Sequence, residues 1–336
     1  CACLVGSEMC IRDRAKSQIP VNTSGFVFEQ LANKASGHPE ILAPRIKEPD
    51  VNRVIVEGEN FNIEFSKVDG FLCRYDVNGI SMLEKGTSLI PNFWRAGTDN
   101  DYGARLNLKY KVWKNPVMKL KGINSRVENS MVYVDAEYQM PEVFSILKLS
   151  YVINNEGDIQ VTQKLLTEKG KKVPNMFRYG MRMRMPKEMY YSHFYGRGPV
   201  ENYIDRNHNS FVGIYKMTTQ EQFYPYIRPQ ENGCKTDIRW WNQTNKGGIG
   251  LNFVASKPFS MVALNYTIES LDDGDLKDQR HSGQVEPADF IEVCIDYAQQ
   301  GLGGENSWGS TCLPQYRLTY KDYEFTYQIK PLDTVY

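Results

Sequence analysis

The sequence predicts an all-β protein built from large antiparallel sheets stacked face to face. Three observations predict it. Apolar and polar residues alternate with a period of two in one segment after another. Turn signals rich in glycine and asparagine separate those segments, and helical periodicity is thin. Side chains on a strand point alternately to opposite faces, so this period gives each strand one face for a core.

The pattern begins at Val51. Phe61, Ile63 and Phe65 alternate with Asn62 and Glu64, Val68-Asp69-Gly70 turns the chain, and Phe71 to Val77 runs back to Asn78-Gly79. This predicts a hairpin and then a second turn. Val132, Val134, Ala136 and Tyr138 oppose Tyr133, Asp135 and Glu137, and Met181, Met183 and Met185 alternate with Arg182 and Arg184. Ile291, Val293, Ile295 and Tyr297 alternate with Glu292, Cys294 and Asp296, and Phe325, Tyr327 and Ile329 with Thr326, Gln328 and Lys330. Further turns are expected at Asn155-Glu156-Gly157, Lys246-Gly247-Gly248 and Asp273-Gly274. The best helix candidate is Ala104 to Lys114, and Glu201 to Ile204 suits a single turn. No internal repeat is visible.

Ahead of Val51 the chain reads differently. Ala35 to Asp50 reads as a linker, with Pro39, Pro44 and Pro49 and little apolar periodicity. Ala15 to Phe28 reads as the last strand of a preceding domain. Leu4-Val5-Gly6-Ser7-Glu8-Met9-Cys10-Ile11-Arg12-Asp13 resembles the in-frame translation of a transposon-type sequencing adapter. Residues 1–14 are therefore expected to be an artefact without ordered structure, and the chain a piece of a longer gene product. A signal peptide is the rival reading, but Leu4-Val5-Gly6 is too short an apolar region and Glu8 interrupts it.

Composition narrows the function classes. The 336 residues include 40 basic and 40 acidic side chains, a net charge of zero that argues against a nucleic-acid partner. With 41 % hydrophobic residues the chain can bury a sizeable core, yet no apolar run approaches the roughly 20 residues of a membrane span. Of seven cysteines, Cys1, Cys3 and Cys10 fall in the first ten residues. Cys73, Cys234, Cys294 and Cys312 are far apart and lack zinc or redox spacing, so they read as buried free thiols.

Four stretches carry candidate chemistry. The first is Pro91 to Gly103, which reads Pro-Asn-Phe-Trp-Arg-Ala-Gly-Thr-Asp-Asn-Asp-Tyr-Gly. Its acidic core, Asp99, Asn100, Asp101, Tyr102 and Gly103, is open to three readings: metal site, sugar-binding loop or well-capped turn. Calcium is demoted, because Ala104 and Tyr110 stand where a calcium loop needs glycine and glutamate. The second stretch, His193 to Arg206, offers His193 and Glu201 as a general acid/base pair. Its bland reading is a turn in which Arg197 or Arg206 bridges carboxylates. In the third, Gly301-Leu302-Gly303-Gly304-Glu305-Asn306-Ser307-Trp308-Gly309-Ser310, three glycines precede an indole. Trp308 is either a stacking face for a sugar ring or a core tryptophan. The fourth runs from Tyr224-Pro225-Tyr226 through Glu231-Asn232-Gly233 to Trp240-Trp241. It suits a carbohydrate or a neighbouring domain equally.

Together and in this order, these stretches resemble the last domain of glycoside hydrolase family 2 β-galactosidases. Phe93 to Gly103 is similar to that domain's Arg-Ala-Pro-x-Asp-Asn-Asp-x-Gly loop. Gly196-Arg197-Gly198-Pro199-Val200-Glu201-Asn202-Tyr203-Ile204-Asp205-Arg206 resembles its Gly-x-Gly-Pro-x-Glu-Asn-Tyr-x-Asp-Arg. Tyr226-x-x-Pro229-Gln230-Glu231-Asn232-Gly233 and Gly303-Gly304-Glu305-Asn306-Ser307-Trp308 are similar to two further motifs. Gly97 stands where the family has proline, which should loosen the first loop, and Glu305 where it has aspartate.

The resemblance implies a β-supersandwich related to galactose mutarotases over residues 51–336, with residues 15–50 as the tail of an immunoglobulin-like domain plus linker. It implies part of a retaining enzyme that releases terminal β-D-galactose, for example from lactose. In some bacteria a similar region is a separate small subunit. The two catalytic carboxylates of such enzymes, about 5 Å apart, belong in this family to a TIM barrel outside this sequence, so no residue here inherits either role. Trp308 is implied to stack on the sugar and Asp99 to Gly103 to be a mobile segment at the site's mouth. The implied partners are the substrate, the barrel region or a large subunit, and further copies in an oligomer. No cofactor is expected on this piece alone; the family's divalent-cation and sodium sites are expected mainly in the other domains. The compartment stays open between bacterial cytoplasm and periplasm. A mutarotase-like epimerase using His193 and Glu201, or a carbohydrate-binding module, is the alternative.

Overall fold

The computed structural model describes residues 43–332 apart from 305, 307 and 308. The readings of residues 1–14 and of Ala15 to Phe28 fall outside them.

The first sheet has five antiparallel strands in chain order: β1 (Arg45–Asp50), β2 (Arg53–Glu57), β3 (Phe61–Ser66), β4 (Leu72–Val77) and β5 (Ile80–Ser81). The expected hairpin is β3–β4, with Phe61 opposite Val77 and Ile63 opposite Tyr75. Asn78 and Gly79 both have positive φ, 50° and 76°, which suits the twist of a two-residue hairpin turn. The stretch read as linker ends in a strand, because β1 pairs with β2. Its weak apolar pattern follows from its place at the sheet edge. There, polar side chains protect the strand and ion pairs such as Asp50–Arg53 line it.

The second sheet has twelve strands. After β6 (Ile90–Asn92) come β7 (Lys119–Glu128), β8 (Met131–Met140), β9 (Ser145–Ile153), β10 (Ile159–Thr167), β11 (Arg178–Pro186) and β12 (Tyr191–Gly198). The rest are β13 (Phe211–Thr218), β14 (Lys235–Thr244), β15 (Gly250–Leu264), β16 (Phe290–Gln299) and β17 (Tyr323–Leu332). The main path is β13-β12-β14-β15-β17-β10-β9-β8-β7. It forks at β15, which pairs with β17 through Ala255 and with β16 from Ser260; β16 then pairs with β11, and β11 with β6.

The core follows the alternation. Val132, Val134, Ala136 and Tyr138 are buried on β8, and Met181, Met183 and Met185 on β11. The small sheet packs on β8 and β9, where Phe65 meets Tyr151 edge-on at 4.9 Å and Phe71 stacks on Tyr138 at 5.4 Å. This contact makes the sandwich. On β16 the alternation fails: Glu292, Cys294 and Asp296 are buried as well as Ile291, Val293 and Ile295, while Tyr297 is exposed. A second apolar cluster, with Trp94, Phe177, Tyr203 and Val262, covers the other face, and a bulge at Tyr179–Gly180 shifts the register. Only glycine fits there, since a methyl on Gly180 would fall 2.3 Å from the Ile295 carbonyl oxygen.

Helix is scarce, as expected, but differently placed. Instead of one helix over Ala104 to Lys114, α1 (Asp99–Gly103), α2 (Leu106–Lys109) and a 3-10 turn, Lys111–Trp113, follow one another. Arg105 lies at φ 56° and breaks the run, while Thr98 caps the chain earlier. Glu201 to Ile204 forms no helical turn; Tyr203 and Arg206 bridge instead. Cys73, Cys234, Cys294 and Cys312 are free thiols, all buried but half-buried Cys73. No helix among the described residues is long and apolar enough to cross a membrane.

Asp158, before β10, gives a pH test. Burial pushes its carboxyl up to about 6, although Lys330 pulls it down. The folded state therefore binds this proton more tightly than the unfolded chain, whose carboxyl titrates near 4. The group's stabilising contribution is full below about pH 4 and is lost as pH rises through about 6. Asp158→Asn is expected to match the wild type at about pH 4 and to exceed its unfolding free energy by about 2 kcal/mol at about pH 7.5. A difference independent of pH in denaturant titrations would contradict this.

Candidate functional site

Phe93 to Thr98 is buried throughout, so half of the acidic loop's frame is core. Trp94 packs edge-on against Phe177 at 4.9 Å and its indole N–H donates to Asp272 at 2.7 Å. Arg95 has no exposure at all. Its Nε and Nη2 donate to Asp101 at 3.2 and 2.8 Å, and Nη1 and Nη2 donate to the carbonyls of Gln300 and Gly301 at 2.5 and 3.3 Å. Burial disfavours the charge, but Asp101 outweighs it and the guanidinium pKa is raised.

Asp101 is also the third residue of a capping box. It accepts from Thr98 N at 3.0 Å, and its own N–H donates to Thr98 Oγ1 at 3.2 Å. Both carboxylate oxygens are thus engaged by the chain. Asp99, on the outer side of α1, pairs with Lys277. Asn100 Nδ2 donates to the Gly303 carbonyl at 3.0 Å, and the Tyr102 hydroxyl to the Gly274 carbonyl at 3.2 Å. Gly103 ends the helix, close enough to the glycine-rich loop that a methyl on Gly309 would sit 3.5 Å from its carbonyl oxygen. Among the described residues no three His, Cys, Asp or Glu side chains gather as metal ligands.

Asp205 holds the glycine-rich loop from the other side. Its two oxygens accept the N–H groups of Leu302 at 3.1 Å and Gly303 at 2.7 Å. Gly303 has φ 63°, and a methyl on it would strike Cys312 N at 2.4 Å, so the close approach requires glycine. Trp308, with Glu305 and Ser307, lies outside the described residues. What the structure defines is the anchorage of its loop by Arg95, Asn100 and Asp205.

The second and fourth stretches are stapled together. Glu201 accepts from Gly233 N at 2.9 Å, Arg206 Nη2 at 3.0 Å and the Tyr226 hydroxyl. Buried Asn202 donates to the Arg197 and Val200 carbonyls, both at 3.1 Å, and accepts from Thr236 N at 3.0 Å. Glu231 takes a 2.9 Å bond from Arg178, a fully buried guanidinium that also reaches Gln299 at 3.0 Å.

A cleft of about 260 Å³ results, lined from all four stretches: Thr98, Asp99 and Asn100; Asp205 and Arg206; Tyr226, Gln230 and Glu231; Leu302 and Gly303. His193 is not among these residues. It meets Trp240 edge-on at 4.9 Å, and burial with Lys216 lowers its pKa. No hydrogen bond joins it to Glu201 and the two share no hydrogen-bond partner, so the structure supports the turn-scaffold reading, with Arg206 on Glu201 and Arg197 on Asp237. Sequence reasoning gave no role to Arg95, Arg178 or Asp205. For Arg95 a signal existed, a lone arginine between aromatic residues with an acid six residues on; Arg178 has none.

Fold and site thus define an all-β domain with a composite polar cleft. The chain belongs to the β-galactosidase small chain family, whose sequence model matches residues 57–329. It is 31 % identical over 280 residues to a β-galactosidase of Priestia megaterium, covering 82 % of this chain and 26 % of that protein. A β-galactosidase of Lactobacillus delbrueckii subsp. bulgaricus is 30 % identical over 319 residues, 90 % of this chain and 30 % of that one. The chain therefore spans about a quarter to a third of these relatives. Among solved structures, a galactose mutarotase related enzyme from Lactobacillus acidophilus superposes with a TM-score of 0.47 at 8 % identity, covering 84 % of this chain and 98 % of that one.

Removing one partner of a buried ion pair strands the other. Arg95→Met is expected to cost about 3–5 kcal/mol in equilibrium unfolding, and Arg95→Met with Asp101→Leu less than Arg95→Met alone. Additive losses would show that the two groups do not act as a pair.

Proposed function

We propose that the chain acts as part of a retaining β-galactosidase that hydrolyses terminal non-reducing β-D-galactose residues, as in lactose. In this reading it supplies Trp308 as a stacking face and Asp99 to Gly103 as a lid, while the catalytic carboxylates come from the barrel region. The observation that carries the reading is the convergence of four sequence-distant loops on one cleft, with the loop of Trp308 anchored at its edge.

The carboxylates around the cleft support a binding role. Asp101 serves Arg95 and a helix cap, Asp205 two backbone amides, Glu231 an arginine, and Glu201 a tyrosine, an arginine and an amide. Each of these four fixes the chain, and Asp99, the remaining carboxylate of the cleft, pairs with Lys277. The pair Asp99–Lys277 is exposed, a kind worth under about 1 kcal/mol, and the Tyr102–Gly274 hydrogen bond is the other polar contact of α1 with that neighbouring segment. The domain contributes by positioning substrate and closing over it.

Mixing the chain with a matching barrel-bearing fragment is expected to restore hydrolysis of a chromogenic β-galactoside. Absence of activity when the two fragments bind each other would overturn the reading. In the restored enzyme, Trp308→Ala and Asp205→Ala are each expected to raise KM about tenfold or more with smaller effects on folding. Unchanged KM and kcat in both would remove this loop from the site.

A further inference from the structure

The large cleft of about 260 Å³ is lined by three carboxylates, and the fold engages them unequally. Asp205 binds backbone amides through both oxygens, and Asp99 pairs with Lys277. Glu231 is different. It is 5 % exposed, and its Oε1 takes the 2.9 Å bond from Arg178. Its Oε2 accepts no hydrogen bond from the described residues. Unlike the sealed polar atoms of the core, that oxygen keeps contact with solvent, and the residue lines the cleft.

A carboxylate held by one oxygen is a preorganised acceptor at the other. Arg178 also meets Asp296 and Gln299, so the fully buried guanidinium is fixed by three partners and in turn fixes Glu231. Oε2 has given up most of its water without gaining a donor, a cost that a ligand's donor removes. The bond so formed is charge-assisted, about twice as strong as one between neutral groups. The neighbours decide which donor fits. Gln230 lines the cleft too, and its amide makes no hydrogen bond to the described residues. Arg206, the cation of the lining, is held by Glu201 and Tyr226. Three carboxylates against one matched guanidinium repel an anion, while Arg206 disfavours a second cation. A free carboxylate oxygen beside a free amide therefore suits the hydroxyls of a neutral ligand.

We propose that Glu231 is a substrate-binding residue of the large cleft, its Oε2 accepting a hydrogen bond from one hydroxyl of the galactose unit while the Gln230 amide meets a second. This rests on the reading of the cleft as part of a galactoside site, and adds to it the residue that distinguishes one hydroxyl pattern from another. Arg178 acts through Glu231, as a positioning residue. No proton is transferred.

The test is titration of the 336-residue chain with methyl β-D-galactopyranoside and with its four monodeoxy analogues. Saturable binding of the parent glycoside is expected, with one analogue weaker by about tenfold or more. In Glu231→Gln an amide oxygen still meets Arg178, but an NH2 group replaces the acceptor. The parent should then weaken by a like factor, and that analogue should lose nothing further. The wild-type chain gives an independent reading, because the NMR signal of the Gln230 side-chain amide should shift with the parent. Absence of saturable binding, equal binding of all five ligands, or a silent Gln230 amide overturns the proposal. So does a deoxy penalty that is the same in Glu231→Gln as in the wild type, or D-galactose 6-phosphate binding as tightly as the parent. Hydrolysis by the mixed fragments without binding here removes Glu231 and leaves the enzyme reading; binding here without hydrolysis does the reverse.

Discussion

Arg95 lies beneath the loops of the large cleft with no access to water, and the carboxylate of Asp101 makes that burial tolerable. A lone guanidinium in such a place would carry a desolvation cost of several kcal/mol, so the position requires its counter-charge and its two carbonyl acceptors together. Those carbonyls belong to Gln300 and Gly301, more than two hundred residues away. One side chain thus joins the cap of α1 to the start of the loop that bears Trp308. The geometry of the site depends on this joint.

A second buried guanidinium repeats the arrangement. Arg178 meets Glu231, Asp296 and Gln299, and thereby ties the wall of the large cleft to β16. Burial pushes the Asp296 carboxyl up to about 7, although Arg178 pulls it down. Polar networks this deep rigidify a core when they are satisfied and are costly where they are not. Here the Asp296 carboxylate and the Gln299 amide nitrogen lack hydrogen-bond partners, and Gly180 leaves the space that Asp296 needs.

Much of the sandwich was legible because strand periodicity is a local property. The hairpin from Phe61 to Val77, the buried face of β8 and the methionine face of β11 could each be read from neighbouring residues. Three features were not legible, for physical reasons. Edge strand β1 has no buried face to announce it, β16 is covered on both sides, and the helix expected from Ala104 to Lys114 is broken by Arg105 at positive φ. Within the site, Asn100, Asp205 and the Glu201 scaffold fell inside the stretches singled out, since those stretches resemble family motifs. The roles of Arg95 and Arg178 depend on contacts across the whole chain, which no local pattern encodes.

The central claim is that the Arg95–Asp101 pair positions the glycine-rich loop, beyond its part in holding the fold. Amide hydrogen exchange in the Arg95→Met/Asp101→Leu variant tests it most directly, comparing Leu302 and Gly303 with the core strands β10 and β17. Exchange at Leu302 and Gly303 faster by about tenfold or more, with β10 and β17 unchanged, is the predicted result. Unchanged protection at those two amides, or an equal loss across the sheet, would contradict it.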